Sequence, residues 1–145
     1  MATIWVLVAE SSRAKIFEIK RPGGALVELE DLAHPASRRH EQDITSDLPG
    51  RAYDSQGGQR HAMEEPTSPK HQEAVVFSRE LAERLEAARI DGAFDQLVLV
   101  APPAFMGLLR EQLSAELARQ VSLEVAKNLV FQDANQIRDH LPRHL

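Results

Sequence analysis

The stretch Gln96-Leu97-Val98-Leu99-Val100-Ala101, followed by Pro102-Pro103, decides the fold. A short run this apolar is typical of a strand that is buried on both faces, as in a parallel sheet. The two prolines end the strand, because proline has no amide hydrogen to give to a sheet. A strand of this kind needs helical connections on either side of it in the sequence.

Helical patterns do flank this strand. Residues 68–92 begin with Ser-Pro, a typical capping residue and first helical position, and end at a glycine. After the strand, we predict a second helix over Ala104–Leu117 and a further strand over Val121–Ala126. Asp133 and Gln136 form a predicted capping box that opens a short final helix. The second half of the chain therefore has βαβ character, which requires parallel strands.

Three shorter strands are predicted before this unit, over residues 3–9, 14–20 and 25–33. They are separated by turn-like segments at 10–13 and 21–24, so we expect an antiparallel meander. Together the two halves predict an α/β fold (α+β mixed sheet) with about five strands and helices on its faces. We predict a single domain over residues 1–145.

Periodicity is absent from residues 34–70, which are rich in proline and glycine and contain or adjoin four histidines. Loops of this length in compact domains are usually functional or flexible. We therefore predict a long functional or flexible loop between the third strand and the first helix.

Composition limits the classes of function. The net charge of -5 argues against a protein that binds nucleic acid over most of its surface, although basic residues can still cluster locally. No stretch is long and apolar enough to span a bilayer, and the N-terminus lacks the basic region of a secretion signal. With no cysteine, thiolate metal sites and disulfides are excluded. We expect a cytoplasmic protein with no membrane partner.

The sequence gives little support to a metal site or to a catalytic nucleophile. Six of the 22 acids lie in the loop, and only Glu10 and Asp95 adjoin strands in the positions where a two-metal nuclease would need carboxylates. The spacings of the histidines match no compact ligand motif, so we expect surface histidines, no metal and no cofactor. Ser11 and Ser12 are predicted to shape a turn. The helix that follows Pro102-Pro103 has an N-terminus that could bind an anion, with Arg110 further along, but a plain connection is the favoured interpretation.

The triplet Gly57-Gly58-Gln59 is the most informative part of the loop. Two residues without a Cβ would let the backbone enter a narrow polar cavity. The backbone N–H of Gln59 could then face a developing oxyanion, or its side chain could orient water, during ester hydrolysis. Basic residues in the same segment could contact RNA phosphates, namely Arg38, Arg39, Arg51, Arg60 and Lys70. A glycine-rich flexible tip is the alternative interpretation of the same residues.

Four segments, residues 9–17, 46–51, 60–64 and 97–110, together resemble the bacterial host attachment proteins, also described as proteins required for attachment to host cells. That family is in turn similar to the central domain of archaeo-eukaryotic class-1 release factors. The resemblance implies a ribonuclease H-like layout, which agrees with the predicted order of strands.

In those release factors the corresponding loop carries Gly-Gly-Gln and promotes hydrolysis of peptidyl-tRNA on the ribosome. The resemblance thus implies catalytic roles for Gly57, Gly58 and Gln59. RNA or partner binding would fall to Arg51, Arg60, His61, Arg38 and Arg39, and loop structure to Asp47, Gly50 and Glu64. A release factor also needs a codon-reading domain and a partner-binding domain, for which this chain has no room.

Three functions follow as hypotheses. The first is a ribosome-associated protein of translation quality control that hydrolyses peptidyl-tRNA or rescues stalled ribosomes, with the ribosome or tRNA as partner. The second is a non-catalytic module that binds a protein partner and affects attachment to host cells indirectly. The third is a small nucleotide- or RNA-binding enzyme that uses the loop acids and histidines. A homodimer through the sheet edge or the helices is compatible with each.

Overall fold

The computed structural model describes residues 3–34 and 68–145. In these residues the strands are β1 (Ile4–Ala9), β2 (Arg13–Ile19), β3 (Val27–Ala33), β4 (Gln96–Val100) and β5 (Val121–Val125). The helices are α1 (Pro69–Ile90), α2 (Pro103–Gln112), α3 (Ala115–Gln120) and α4 (Ala134–Asp139).

The five strands form one mixed sheet in the order β3-β2-β1-β4-β5. The meander is antiparallel, with β1 beside β2 and β2 beside β3. β1 also pairs with β4, and β4 with β5, and both of these pairings are parallel. The predicted combination of an antiparallel meander with a parallel βαβ half is confirmed.

Both faces of the central strands β1 and β4 are buried, as their apolar sequences predicted. Successive residues of β1 alternate between two apolar clusters, because side chains along a strand point to opposite faces. Leu7 lies in the cluster beneath α1 and α2, whereas Val6 lies in the cluster that includes α4. All six residues of β1 are buried. This strand is therefore the centre of the hydrophobic core.

Helix α1 begins and ends where the sequence predicted. The Ser68 hydroxyl accepts a hydrogen bond from the His71 backbone N–H at 3.1 Å, and Gly92 after the helix adopts a positive φ of 72°. Arg84 ties the helix to the sheet, since its Nε donates to the Glu30 carboxylate on β3 at 3.0 Å. Its guanidinium also lies 5.6 Å from the centre of the Trp5 ring. The hydrogen bond that Arg84 donates to Glu30 raises the pKa of Arg84.

The single helix predicted over Ala104–Leu117 is wrong. Residues 103–120 form two helices, α2 and α3, because Leu113 adopts an extended conformation. Ser114 then acts as an N-cap and accepts from the Leu117 backbone N–H at 3.0 Å. Serine favours this capping role over a position inside a helix. The break turns Leu117 into the core, where it is fully buried.

The edge strand β3 carries a bulge. Ile16 and Phe17 on β2 pair with Glu30 and Glu28, which leaves Leu29 as an extra residue on β3. Leu29 is 41% exposed. A bulge on an edge strand interrupts the regular row of backbone groups that another chain would need for pairing.

The C-terminal segment closes over the turn between β2 and β3. The predicted capping box is present, with reciprocal hydrogen bonds between Asp133 and Gln136 at the start of α4. Within α4, Arg138 donates to main-chain oxygens of four residues, namely Gly24, Pro142, Arg143 and Leu145. The Leu145 oxygen also accepts from the Gly23 backbone N–H at 2.6 Å. One arginine therefore connects α4 to a turn more than a hundred residues earlier.

Candidate functional site

The carboxyl ends of three parallel strands meet at one edge of the sheet, which we call the carboxyl edge. It is formed by the ends of β1, β4 and β5, and the Ala101 backbone N–H donates to the Val125 carbonyl there at 3.1 Å. Because β2 is antiparallel to β1, it begins at the same edge with Arg13. Open α/β sheets bind their ligands outside the carboxyl ends of the strands. The carboxyl edge is therefore the first place to look for a site.

The residues on both sides of segment 35–67 lie at this edge. The His34 backbone N–H donates to the Ser12 carbonyl at 3.0 Å, which places the end of β3 beside the turn between β1 and β2. Helix α1 spans 22 residues, which is about 33 Å. Shortly after the helix ends, the Asp95 backbone N–H donates to the carbonyl of Thr3, which precedes β1 at the opposite edge of the sheet. The first residues of the helix, from Ser68, are consequently at the carboxyl edge.

The predicted catalytic and binding residues all fall between these two ends. Gly57, Gly58 and Gln59 lie outside the described residues, and so do the predicted RNA-binding and loop residues, namely Arg38, Arg39, Asp47, Gly50, Arg51, Arg60, His61 and Glu64. What the structure contributes is the position of the flanking residues. The catalytic role of the triplet stays a prediction.

The turn between β1 and β2 is organised by a carboxylate. Glu10 accepts hydrogen bonds from the Ser12 hydroxyl at 2.6 Å and the Ser11 hydroxyl at 3.4 Å. Its backbone N–H also donates to the Arg13 carbonyl at 2.9 Å. Both serines thus shape the turn, as predicted. Their hydroxyls are directed at a carboxylate and not at a histidine base, so this geometry gives no support to a nucleophilic role.

His34 is not a surface residue, and the prediction for it is wrong. It is 6% exposed, and its ring packs 5.6 Å from the Phe77 ring on α1, centre to centre. Among the described residues its Nδ1 has no hydrogen-bond partner, and it lies 3.6 Å from a carboxylate oxygen of Glu80. The missed signal was alternation along β3: Leu32, two residues earlier, packs against the same apolar cluster.

Three arginines of the helices are already engaged by carboxylates. Arg84 binds Glu30, Arg89 binds Glu86, and Arg110 binds Glu124. In each pair the hydrogen bond that the arginine donates to the carboxylate raises the pKa of the arginine. Arg110 is thus held against β5, and the N-cap residue Pro102 makes no side-chain capping bond. An anion site at the start of α2 is therefore not favoured, in agreement with the plain connection that the sequence indicated.

Arg13 is paired less closely than these three arginines. Its guanidinium carbon lies 5.9 Å from the centre of the Phe131 ring, and its only ion-pair partner among the described residues is Asp31 at 3.8 Å. Phe131 is 71% exposed. An exposed aromatic ring beside a loosely paired cation was not identified in the sequence, because the two residues are far apart along the chain.

Metal chemistry gains no support from the described residues. Within residues 3–34 and 68–145, no three histidines, aspartates or glutamates are grouped as a metal ion would require. Glu10 is at the carboxyl edge, whereas Asp95 accepts from the Thr3 backbone N–H at the opposite edge, so these two acids do not converge. In the same ranges, no helix combines the length and the apolarity that crossing a membrane would take.

Acid should weaken the pairing between α2 and β5. The hydrogen bond from Arg110 lowers the pKa of Glu124, so the pair stabilises the folded protein above the unfolded pKa of about 4.3. This stabilisation is lost as pH falls through the folded pKa. We expect Arg110→Gln to lower the urea midpoint at neutral pH and to match the native protein near pH 3. Arg119→Gln, at an exposed position on α3, is the control. A difference that persists at acidic pH would contradict this assignment.

Comparisons with known proteins agree with the fold. The sequence model of a family described as "Protein required for attachment to host cells" matches residues 5–141. None of the curated proteins compared with the chain matches it. Among solved structures, the crystal structure of the archaeal translation termination factor aRF1 is similar over 98% of this chain, with a TM-score of 0.51. Sequence identity is 15%, so the likeness concerns the fold, and the match spans 36% of the aRF1 chain.

Proposed function

Because the chain belongs to the family of proteins required for attachment to host cells, and its fold is similar to part of a translation termination factor, we propose that it acts on the ribosome. The proposed role is release-factor-like: hydrolysis of peptidyl-tRNA or rescue of stalled ribosomes, in the cytoplasm. The observation that carries the proposal is the position of the Gly57-Gly58-Gln59 triplet. It lies in sequence between β3 and α1, the place that the resemblance to release factors assigns to it.

The geometry of the flanking residues supports this role. His34 is fixed by a hydrogen bond to Ser12 and by ring contact with Phe77, and Ser68 caps α1. Both residues are on well-packed elements at the carboxyl edge. A reactive segment that begins and ends on rigid elements at one edge matches the usual placement of functional loops.

The chemistry assigned to the triplet is simple. Gly57 and Gly58 would allow close approach of the backbone to the ester bond of peptidyl-tRNA. Gln59 would orient the attacking water or stabilise the oxyanion that forms on the ester carbonyl. Arg51 and Arg60, with Arg38, Arg39 and His61, would hold RNA phosphates or a protein partner.

Peptide release from purified stalled ribosome–nascent-chain complexes tests the proposal. We expect the native chain to release peptide and the Gly57→Ala/Gly58→Ala variant to lose this activity, because added methyl groups would block backbone approach. Gly107→Ala is the matched control: a Cβ there meets no atom within 4 Å, and alanine suits the helix. The control should release peptide as the native chain does. Release by the glycine-pair variant at the native rate would refute the catalytic role.

A non-catalytic interaction module is the second candidate, and the description of the family favours it. In this case the chain would bind a protein partner through residues 50–65 and affect attachment indirectly. It predicts a stable complex with a non-ribosomal protein that is lost when these residues are deleted. If release activity is absent and no such complex is recovered, this candidate also fails.

A further inference from the structure

An exposed aromatic ring lies at the carboxyl edge, on backbone that is held in place. Phe131 follows Leu129 and Val130, which are both buried in the apolar cluster that includes α4. The Gln132 backbone N–H donates to the Leu129 carbonyl at 3.0 Å and closes a turn around Phe131. Two buried neighbours and a closed turn thus fix the backbone, while the Phe131 side chain remains 71% exposed. The exposure of the Phe131 ring is therefore a consequence of this fixed backbone.

One cation lies over this ring, and two more are close to Arg13 or Phe131 in the sequence. Arg13 lies over it, and Lys15 is two residues along β2, on the same face of the sheet as Arg13. Lys127 is exposed and precedes Phe131 by four residues. The one acid that pairs with Arg13 among the described residues is Asp31, at 3.8 Å with both side chains 45% exposed. An ion pair with this separation and exposure is weak, so the guanidinium can engage a ligand.

We propose that Arg13, Lys15, Lys127 and Phe131, here called the Phe131 surface, bind single-stranded nucleic acid. A base stacks on the Phe131 ring, and neighbouring phosphates pair with the three cations. Every base has a π-face, and stacking on an aromatic side chain contributes about 1–3 kcal/mol per base. An apolar protein partner would instead call for a contiguous apolar patch. Here the exposed residues that flank the ring in the chain are polar, namely Lys127 and Asn128 before it and Asp133 after it.

The Phe131 surface contains no residue of the Gly57-Gly58-Gln59 triplet, and the inference does not rest on the proposed function. Catalysis by the triplet and binding by the Phe131 surface can succeed or fail independently. The overall charge of -5 is compatible with it, because only the local cluster is basic.

Fluorescence anisotropy with labelled oligouridylate and oligodeoxythymidylate tests the inference on the full chain. At about 50 mM salt we expect saturable binding that weakens as salt rises. Phe131→Ala should reduce the affinity about tenfold or more, and Phe131→Leu should do the same, because leucine keeps an apolar side chain without a π-face. Phe131→Trp should preserve binding. Arg13→Gln should lower the salt slope by about one.

Three controls make the result specific. Ile90→Ala changes another exposed hydrophobic residue, at the far end of α1, and should leave the affinity unchanged. Asp31→Asn removes the acid beside Arg13 and should preserve or strengthen binding. The Gly57→Ala/Gly58→Ala variant should bind as the native chain does.

The inference is overturned if neither oligonucleotide binds saturably at low salt. It is equally overturned if Phe131→Leu binds as tightly as the native chain, which would indicate an apolar contact of the kind that a protein partner makes. Loss of binding in the glycine-pair variant would move the binding site to the loop and also refute it. Equal binding of both oligonucleotides supports stacking and phosphate contact, whereas preference for oligouridylate supports RNA as the ligand.

Discussion

Leu7→Ala is expected to lower the free energy of unfolding by about 3–5 kcal/mol, the range for a large cavity in a tightly packed core. Leu7 is fully buried in β1, the central strand of the sheet. It pairs with Ile16 on β2 and Leu99 on β4, so its neighbours on both sides are held by backbone hydrogen bonds. Strands fixed in this way cannot move inward to fill the space.

Urea unfolding followed by circular dichroism measures this loss by linear extrapolation. The matched control is Leu29→Ala, the same chemical change at the bulge of the edge strand, where the side chain is 41% exposed. We expect the control to cost less than about 1 kcal/mol. Equal losses at the two positions would contradict the arrangement in which β1 is central and β3 is at the edge.

Arg138→Met is expected to cost about 2–4 kcal/mol, because it removes a charged donor shared by several main-chain oxygens. The guanidinium donates at 2.9 Å to the Gly24 carbonyl, and at 3.0 Å to main-chain oxygens of Pro142 and Leu145. Methionine keeps most of the aliphatic stem and cannot donate. The partly buried oxygens would then lose their partner in the folded state.

Arg143→Met gives the comparison for this variant, since Arg143 is exposed and close to the same segment. It should change stability by no more than about 0.5 kcal/mol. Thermal unfolding of both variants distinguishes the roles of the two arginines. If Arg138→Met unfolds at the same temperature as Arg143→Met, water replaces the guanidinium without loss, and the connection between α4 and the β2–β3 turn is not stabilising.

Local patterns in the sequence were sufficient to predict most of the fold. Helix α1 was predicted within a residue or two, because its signals are all local: the serine cap, the proline that follows it, and Gly92. The division of α2 from α3 was missed, since a periodic apolar stripe continues across Ser114 and hides its capping role. The bulge at Leu29 was missed as well, because it depends on which β2 residues pair with β3.

The candidate site was harder to predict for a physical reason. A loop motif such as Gly57-Gly58-Gln59 consists of adjacent residues, so it can be recognised in the sequence. The structure adds only the positions of the residues on either side of that loop. The Phe131 surface joins residues from β2 and from the segment after β5, so only the folded sheet brings them together. His34 was misjudged because it follows a strand that is mostly exposed, and its burial depends on Phe77 of α1.

The parallel pairing of β1 with β4 has a consequence for synthesis of the chain. Ile4 pairs with Gln96, a separation of 96 − 4 = 92 residues, whereas β1 and β2 are joined by a short turn. As the chain leaves the ribosome, the β1–β2–β3 meander can form early, but one side of β1 stays without a hydrogen-bonding partner until β4 has emerged. The strand β1, which is fully buried in the folded protein, is thus an unpaired apolar edge in the nascent chain. Chaperones that bind apolar strands should therefore engage the nascent chain at residues 4–9, and release it once residue 100 is free to fold.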